Sequence, residues 1–206
     1  MTEVEIIGFP AGNFVRAVRM AAAEKQIPYR LTEVFPHAPE ANAIHPLGKV
    51  PGMRHGAVEI CESRAIIGYL ERTFPDNPLL PSDPVQAAKA EQWISMINTA
   101  IDRTMIRDYA LGYILPKGPD GQPDRAVIDR AAAEMKTQIA VLDAAIGASD
   151  FLVGDTLTYA DIVLLPILHT IRRFPEGRDA LASAPRLTAY FEKHSERPSF
   201  IHAHPS

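Results

Sequence analysis

The feature that most constrains the fold of this chain is a proline-rich stretch, Pro75-Asp76-Asn77-Pro78-Leu79-Leu80-Pro81-Ser82-Asp83-Pro84. Its four prolines fix φ and lack an N–H donor, so the stretch can continue neither a helix nor a sheet ladder. We therefore predict a linker over residues 77–84. It separates a first domain, residues 1–76, from a second domain, residues 85–206.

The residues before the linker alternate short apolar strands with helical periods. The predicted strands are Ile6-Ile7, Leu31-x-Glu33-Val34 and Val58-x-Ile60. A helical period runs through Arg16-Ala17-Val18-Arg19. This alternation indicates a small α/β domain.

The residues after the linker are predicted to be all helical. Apolar residues recur at helical spacing in three stripes: Trp93, Met96, Ile97, Ala100 and Ile101; Ile128, Ala131, Met135, Ile139 and Leu142; and Leu187, Tyr190, Phe191 and His194. The segment Ile162–Leu168 is almost continuously apolar, so we expect it to run through the middle of this domain.

Composition and short motifs give no sign of a nucleic-acid-binding, membrane-spanning or metal-binding protein. With 47% hydrophobic and 22% charged residues, the 206-residue chain has the profile of an ordinary globular protein. A net charge of −4 gives no reason to expect a nucleic acid or membrane partner. We find no signal peptide or apolar span, and Cys61 has no second cysteine to pair with, so a cytoplasmic location is expected. His202-x-His204 lacks acidic or cysteine neighbours, so no metal site is expected.

Two short motifs indicate a binding site for a peptide-like ligand. Val50 precedes Pro51, so its backbone is extended and its N–H and C=O can pair with an extended peptide. Ser63 lies where a helix should begin, so a ligand carboxylate there would meet free N–H groups, while Glu62 can pair with an ammonium group. Singly, Ser63 is explained as an N-cap and Pro51 as a turn, but their spacing favours the ligand site.

Together with other motifs, these residues resemble the cytosolic glutathione S-transferases nearly end to end. The remaining motifs are Val4–Pro10, the capping box of Thr158 and Asp161, and the ending Arg197-Pro198-Ser199-Phe200. The resemblance is to bacterial-type members of the serine-using phi/theta-like branch. It implies an α/β thioredoxin-like N-terminal domain, an all-α C-terminal domain, a homodimer and glutathione as co-substrate.

The resemblance also implies roles for individual residues. Positions that match glutathione contacts in the family are His37, Lys49, Val50, Pro51, Glu62 and Ser63. His37 and Lys49 would meet the glycyl carboxylate. Positions expected to line a pocket for a small hydrophobic electrophile, between the two domains, are Phe14, Met105, Ile106, Tyr109 and Tyr113. A hydroxyl of Tyr109 or Tyr113 is a candidate to polarise that substrate.

The first loop departs from the family pattern. Aligned on Pro10, Arg16 and Val18, the position of the catalytic serine falls on Gly12, which has no hydroxyl. We hypothesise that the amide of Asn13 and the start of the first helix stabilise the thiolate of glutathione instead. The alternative, equally favoured, is that Asn13 only caps that helix. Arg16 could add positive potential near the sulfur, but an exposed position on a helix face is the commoner outcome for an arginine and is expected here.

Other classes of protein fit the sequence less well than a transferase. A thioredoxin-type disulfide enzyme is excluded because no Cys-x-x-Cys occurs, and a cysteine-using glutathione lyase or reductase is disfavoured for the same reason. The maleylacetoacetate isomerase branch would need a Ser-Ser-Cys loop, which is missing. The serious alternative is a non-catalytic glutathione-binding or protein-interaction member, for which Gly12 is the main argument.

Overall fold

The computed structural model describes residues 3–146 and 149–204. Contacts divide the chain into two compact units. One contains the residues up to Leu80 together with those from Glu196 onward, and the other is Pro81–Ser195. The last residues, which the sequence placed with the helical domain, therefore group with the N-terminal unit.

The first unit is an α/β domain, as predicted, and its sheet is mixed and has four strands. Its elements are β1 Val4–Ile7, α1 Asn13–Glu24, β2 Tyr29–Thr32, α2 Pro39–Ile44, β3 Gly52–His55, β4 Val58–Cys61, α3 Ser63–Thr73 and, at the chain's end, α10 Pro198–His202. The strand order is β2-β1-β3-β4; β1 and β2 are parallel and the other two pairs antiparallel. The second strand lies slightly earlier than expected, because Tyr29–Thr32 and not Val34 pairs with β1.

Successive side chains of β1 point to opposite faces of the sheet, and each face packs against a different set of residues. Val4 and Ile6 are buried on one side of the strand, and α1 and α3 pack against each other and against the sheet. On the other side Ile7 joins a small cluster with Val34 and Ala41, against which Val50 packs. The short helix α2 contributes Ala41 and so covers the sheet at the end where Ile7 and Val50 lie.

The second unit is all helical, as predicted. Its α-helices are α4 Pro84–Met96, α5 Leu111–Ile114, α6 Arg125–Ile146, α7 Tyr159–Ile171, α8 Pro175–Ala182 and α9 Pro185–Ser195. The predicted core residues of α6 and α9 are buried, and in α7 only His169 retains appreciable exposure. Within residues 3–146 and 149–204, no helix is long and apolar enough to span a membrane, and no cluster of three potential metal ligands occurs.

Between α4 and α5 the chain winds as a π-helix, which the sequence did not predict. The wide segments are Ile97–Ile101 and Arg103–Ala110. Their wider turn brings residues five apart together, as in the ion pairs Asp102–Arg107 (2.9 Å) and Arg103–Asp108 (3.5 Å). It also shifts the apolar stripe, so Ala100 is exposed although α-helical spacing placed it in the core.

The C-terminal residues are hydrogen-bonded to α1. Arg197 forms two hydrogen bonds with Glu24, at 2.8 and 2.7 Å. Arg16 donates from Nε to the carbonyl of Ala203, and Arg19 donates to the carbonyl of His202. Arg16 is 1% exposed and its guanidinium lies over Phe200, so the expectation of an exposed Arg16 was wrong. Burial lowers the pKa of Arg16 to about 10, and neighbouring Arg19 adds to this effect.

Candidate functional site

Register in the sheet brings the predicted glutathione-binding segments to one end. Ile7 at the end of β1 pairs with Gly52 at the start of β3, and Gly52 pairs with Cys61 at the end of β4. The residues that continue from these positions are the first loop, the turn before β3 and the start of α3. Segments far apart in sequence therefore meet at this end of the sheet.

Gly8 allows the first loop to approach the turn before β3. A Cβ at this glycine would lie 2.6 Å from Cγ2 of Val15, closer than packed atoms tolerate, and in tight contact, at 3.2 Å, with Cβ of Val50. The absence of a side chain thus lets β1, α1 and Val50 pack together. Gly8 gave no functional signal in the sequence, but its position fixes the geometry of this end.

The turn that carries Val50 and Pro51 presents unpaired main-chain groups. The Val50–Pro51 peptide bond is cis. Within the residues that the structure describes, the N–H and C=O of Val50 have no hydrogen-bond partner, whereas Gly52 enters the ladder with Ile7. A strand-like edge of one residue is therefore available to an extended ligand.

Glu62, and not Ser63, is the N-cap of α3. Ser63 is the first helical residue and is buried, so the alternative that this serine is only an N-cap was wrong. Glu62 has φ 69° and ψ 119°, a left-handed conformation that is unfavourable for a residue with a side chain. The first helical hydrogen bond runs from the N–H of Ile66 to the carbonyl of Glu62, which leaves the preceding N–H groups without helical partners.

The carboxylate of Glu62 is held by a residue that sequence reasoning missed. Nε2 of His45 lies 3.1 Å from Oε1 of Glu62. His45 is the C-cap of α2 and is buried, while the Glu62 side chain is 65% exposed. The only local signal was the step His45-Pro46 before the turn, which by itself indicates the end of a helix.

His37 and Lys49 are brought to one turn. The N–H of His37 donates to the carbonyl of Gly48 at 2.7 Å, and Asn42 donates to the carbonyl of His37. Gly48 has φ 63°, and a Cβ there would lie 2.6 Å from Nδ1 of His37, so only glycine fits. His37 and Lys49 are exposed, which leaves both available to an anionic group.

Gly12 and Asn13 form the start of α1. Gly12 is the N-cap and Asn13 the first helical residue, and α1 has no side-chain cap; the alternative that Asn13 caps this helix was wrong. Gly12 has φ −66° and ψ 127°, which any residue can adopt. The first helical hydrogen bond joins the N–H of Arg16 to the carbonyl of Gly12, so N–H groups at the start of α1 point out of the helix.

The residues predicted for an electrophile pocket lie in both units. Phe14 is half-buried in the first turn of α1, and Tyr113 is half-buried in α5. Met105, Ile106 and Tyr109 belong to the second π-helical segment, and all three are buried. The structure thus places these three residues in the core of the helical unit.

The hydroxyls of Tyr109 and Tyr113 both donate to Glu176. The distances are 3.0 Å from Tyr109 and 2.7 Å from Tyr113 to Oε2 of Glu176, and Arg125 donates to Oε1 of the same carboxylate at 2.7 Å. Burial above all, together with the Glu176 carboxylate, raises the pKa of both phenols. Both hydroxyls are thus hydrogen-bonded to the same carboxylate, and the role of either one in polarising a substrate stays a prediction.

We predict that Glu176 makes the helical unit sensitive to acid. Although burial opposes it, hydrogen bonds from Arg125, Tyr113 and Tyr109 lower the pKa of Glu176 to about 2, from an ordinary 4.5. A lowered folded-state pKa contributes stability above pH 4.5 that is lost as the pH falls towards about 2. In thermal denaturation, the wild type should therefore be more stable than Glu176→Gln above pH 4.5, and this difference in stability should shrink as the pH falls towards about 2. An advantage that stays constant would contradict the assignment.

Comparisons with known proteins agree with this arrangement. Residues 6–78 match the family model of the glutathione S-transferase N-terminal domain, and residues 106–198 match that of the C-terminal domain. Glutathione S-transferase U24 of Arabidopsis thaliana is 31% identical over 79% of this chain and 71% of its own. A probable maleylacetoacetate isomerase of Caenorhabditis elegans is 31% identical over 91% of this chain and 86% of its own.

A solved structure gives the same result. The theta class glutathione S-transferase of Xanthomonas axonopodis pv. citri, determined with glutathione bound, has a TM-score of 0.82 and 25% identity, covering 98% of this chain and 97% of that one. With the sheet, the helical unit and both family models in agreement, the chain belongs to the glutathione S-transferase family of enzymes.

Proposed function

We propose that this protein binds glutathione at the end of the sheet where Ile7, Gly52 and Cys61 pair, and activates its thiol for attack on a small hydrophobic electrophile. The observation that carries the proposal is this convergence. It places the first loop, the Val50–Pro51 turn and the start of α3 side by side. The branch is proposed to be the serine-using phi/theta-like one, with Gly12 at the serine position.

The tripeptide is proposed to bind in an extended form. The unpaired N–H and C=O of Val50 would pair with its cysteinyl main chain, as a strand does. The γ-glutamyl carboxylate would meet Ser63 and the N–H groups at the start of α3, while Glu62 would take the ammonium group. The glycyl carboxylate would face His37 and Lys49.

Activation of the thiol is proposed to rest on the start of α1. A free thiol has a pKa of about 8.5, so only a few per cent is thiolate at neutral pH. The Asn13 amide and the N–H groups that point out of α1 would stabilise the anion. The thiol proton passes to solvent, the sulfur electron pair forms a bond to the electrophilic carbon, and that carbon's leaving group departs with its own pair.

The electrophile pocket is proposed from the resemblance to the family. Phe14 and Tyr113, which keep exposed surface, are proposed to contact the substrate. Met105, Ile106 and Tyr109 are proposed to shape the wall from behind, because they are buried. A role in detoxification, a homodimer and a cytoplasmic location are likewise proposed from the family.

Ultraviolet difference spectra of bound glutathione across pH test the proposal. We expect the bound thiol to ionise well below its free pKa in the wild type. Asn13→Ala should still bind glutathione but lose turnover by about 10- to 100-fold, the worth of one hydrogen bond to a charged group. Unchanged turnover with glutathione still bound would show that the Asn13 side chain takes no part in the mechanism. The main-chain N–H groups at the start of α1 would then be the only groups proposed to stabilise the thiolate.

Gly12→Ser is the complementary variant. Its backbone suits serine, and the new Cβ would lie 3.1 Å from the carbonyl oxygen of Phe9, so a folded variant requires that carbonyl to shift by a few tenths of an ångström. The added hydroxyl is expected to raise turnover. A folded Gly12→Ser protein that turns over no faster would indicate that position 12 does not face the sulfur.

The second candidate function is a non-catalytic glutathione-binding or protein-interaction member of the same family. The observation that favours it is Gly12, which leaves the first loop without a hydroxyl at the expected position. The same spectra separate the two functions. Glutathione that binds without ionising, with no conjugation of a generic electrophile, would favour the non-catalytic member.

A further inference from the structure

We propose that His45 is a positioning residue, which holds the carboxylate of Glu62 ready for the ammonium group of the γ-glutamyl end. The proposal rests on the proposed binding of glutathione and assigns a task to a residue that contacts no part of the ligand in that scheme.

Both ring nitrogens of His45 are engaged, and the partners fix the position of the proton. The N–H of Leu47 donates to Nδ1 at 3.0 Å, so this nitrogen presents its lone pair. The ring proton of the neutral imidazole therefore lies on Nε2, which donates to Oε1 of Glu62 at 3.1 Å. The ring is 3% exposed, so the surrounding protein also restricts its rotation.

Glu62 needs such a partner because little else restrains it. Its side chain is 65% exposed and forms no cap hydrogen bond, so by itself it would occupy several rotamers. Across residues 3–146 and 149–204, no group pairs with Oε2, the other oxygen. One oxygen is thus fixed by the protein while the other stays available to a cation, which reduces the ordering cost when the ligand binds.

The same bond joins two parts of the proposed site. His45 lies in the turn that leads to Val50, and main-chain bonds hold it there: its N–H donates to Ala41, and its carbonyl accepts from Gly48. Glu62 lies 17 residues further on, at the start of α3. The imidazole therefore sets the position of the ammonium contact relative to the cysteinyl main-chain contact.

Calorimetric titration with two ligands tests this role. The ligands are glutathione and an analogue whose γ-glutamyl amino group is replaced by hydrogen. In the wild type, loss of the ammonium group should weaken binding by about tenfold or more. His45→Phe should bind glutathione about tenfold more weakly yet bind the analogue like the wild type, with KM for glutathione raised about tenfold and kcat within about twofold.

His45→Phe could lose binding because it misfolds, so a matched pair of amide variants provides a second test. In His45→Gln the amide N–H can still reach Glu62, so most of the affinity should return. In His45→Asn the amide is carried by a shorter side chain and cannot reach Glu62, so the affinity for glutathione should stay low. Equal glutathione affinity in these two variants would overturn the proposal even if His45→Phe does not fold.

The control is His55→Phe, the same change at the far end of β3, where Nδ1 of the histidine contacts the hydroxyl of Tyr69 at 2.8 Å. It should leave the ratio of the two affinities unchanged. His45→Phe weakening both ligands equally, or neither, would overturn the positioning role while leaving the proposed function intact. A wild type that binds no glutathione would overturn the proposed function itself.

Discussion

Replacing Asp161 with asparagine is expected to lower the free energy of unfolding by about 3 kcal/mol or more. The carboxylate has no exposed surface and accepts four hydrogen bonds. Oδ1 accepts from the N–H of Leu152 and the hydroxyl of Tyr190, and Oδ2 accepts from the N–H and hydroxyl of Thr158. Each oxygen thus faces one backbone donor that cannot rotate, so an amide –NH2 at either position meets an N–H head-on.

Thermal and urea denaturation measure this effect, with a fall in Tm on the order of 10 °C. The matched control is Asp179→Asn, the same change at an exposed position in α8, which should alter stability by less than about 0.5 kcal/mol. A Tm for Asp161→Asn within a degree or two of the wild type would show that these four bonds do not stabilise the fold.

Replacing Lys25 with methionine is expected to cost about 3–5 kcal/mol of stability in the N-terminal unit. The ammonium group is fully buried and has three partners: Glu71 at 2.8 Å and the carbonyls of Asp76 and Asn77 at 3.0 and 3.3 Å. Methionine fills a similar volume but leaves these acceptors without a donor. The Glu71 side chain, only 13% exposed, would retain an unpaired charge.

The readout is denaturation of Lys25→Met beside Lys136→Met, an exposed control on α6. We expect a large loss of stability only for Lys25→Met. Lys25→Met with Glu71→Gln should recover part of the loss, because the uncompensated charge is then removed. Additive losses in the double variant would mean that Lys25 and Glu71 are not energetically coupled.

The helices of the second unit could be predicted because their signal is local. The stripe of Ile128, Met135 and Leu142 is buried, as helical spacing requires. The capping box of Thr158 and Asp161 is also confirmed, since both partners lie within one turn. The sequence did not show that Asp161 also binds Leu152 and Tyr190, which come from separate segments.

The predictions that failed concern features that local residue patterns do not decide. Arg16 has the pattern of a surface residue, yet it is buried because Ala203, directly after α10 and nearly the whole chain away, supplies its carbonyl. Ser63 has the usual chemistry of an N-cap, but Glu62 occupies that position with a left-handed backbone. The π-helical winding of residues 97–110 was not predicted, since apolar spacing alone does not distinguish it from an α-helix.

The sequence by itself determined the break at the proline-rich linker, the α/β and all-helical composition of the two parts, and the motifs around Val50 and Glu62. These depend on proline geometry, apolar spacing and residue type, which act over a few positions. Only the tertiary structure decided that the pairing of Ile7, Gly52 and Cys61 gathers those motifs at one end of the sheet, and that His45 binds Glu62. Strand register and buried hydrogen bonds join residues far apart in the chain, and local propensity carries no information about such partners.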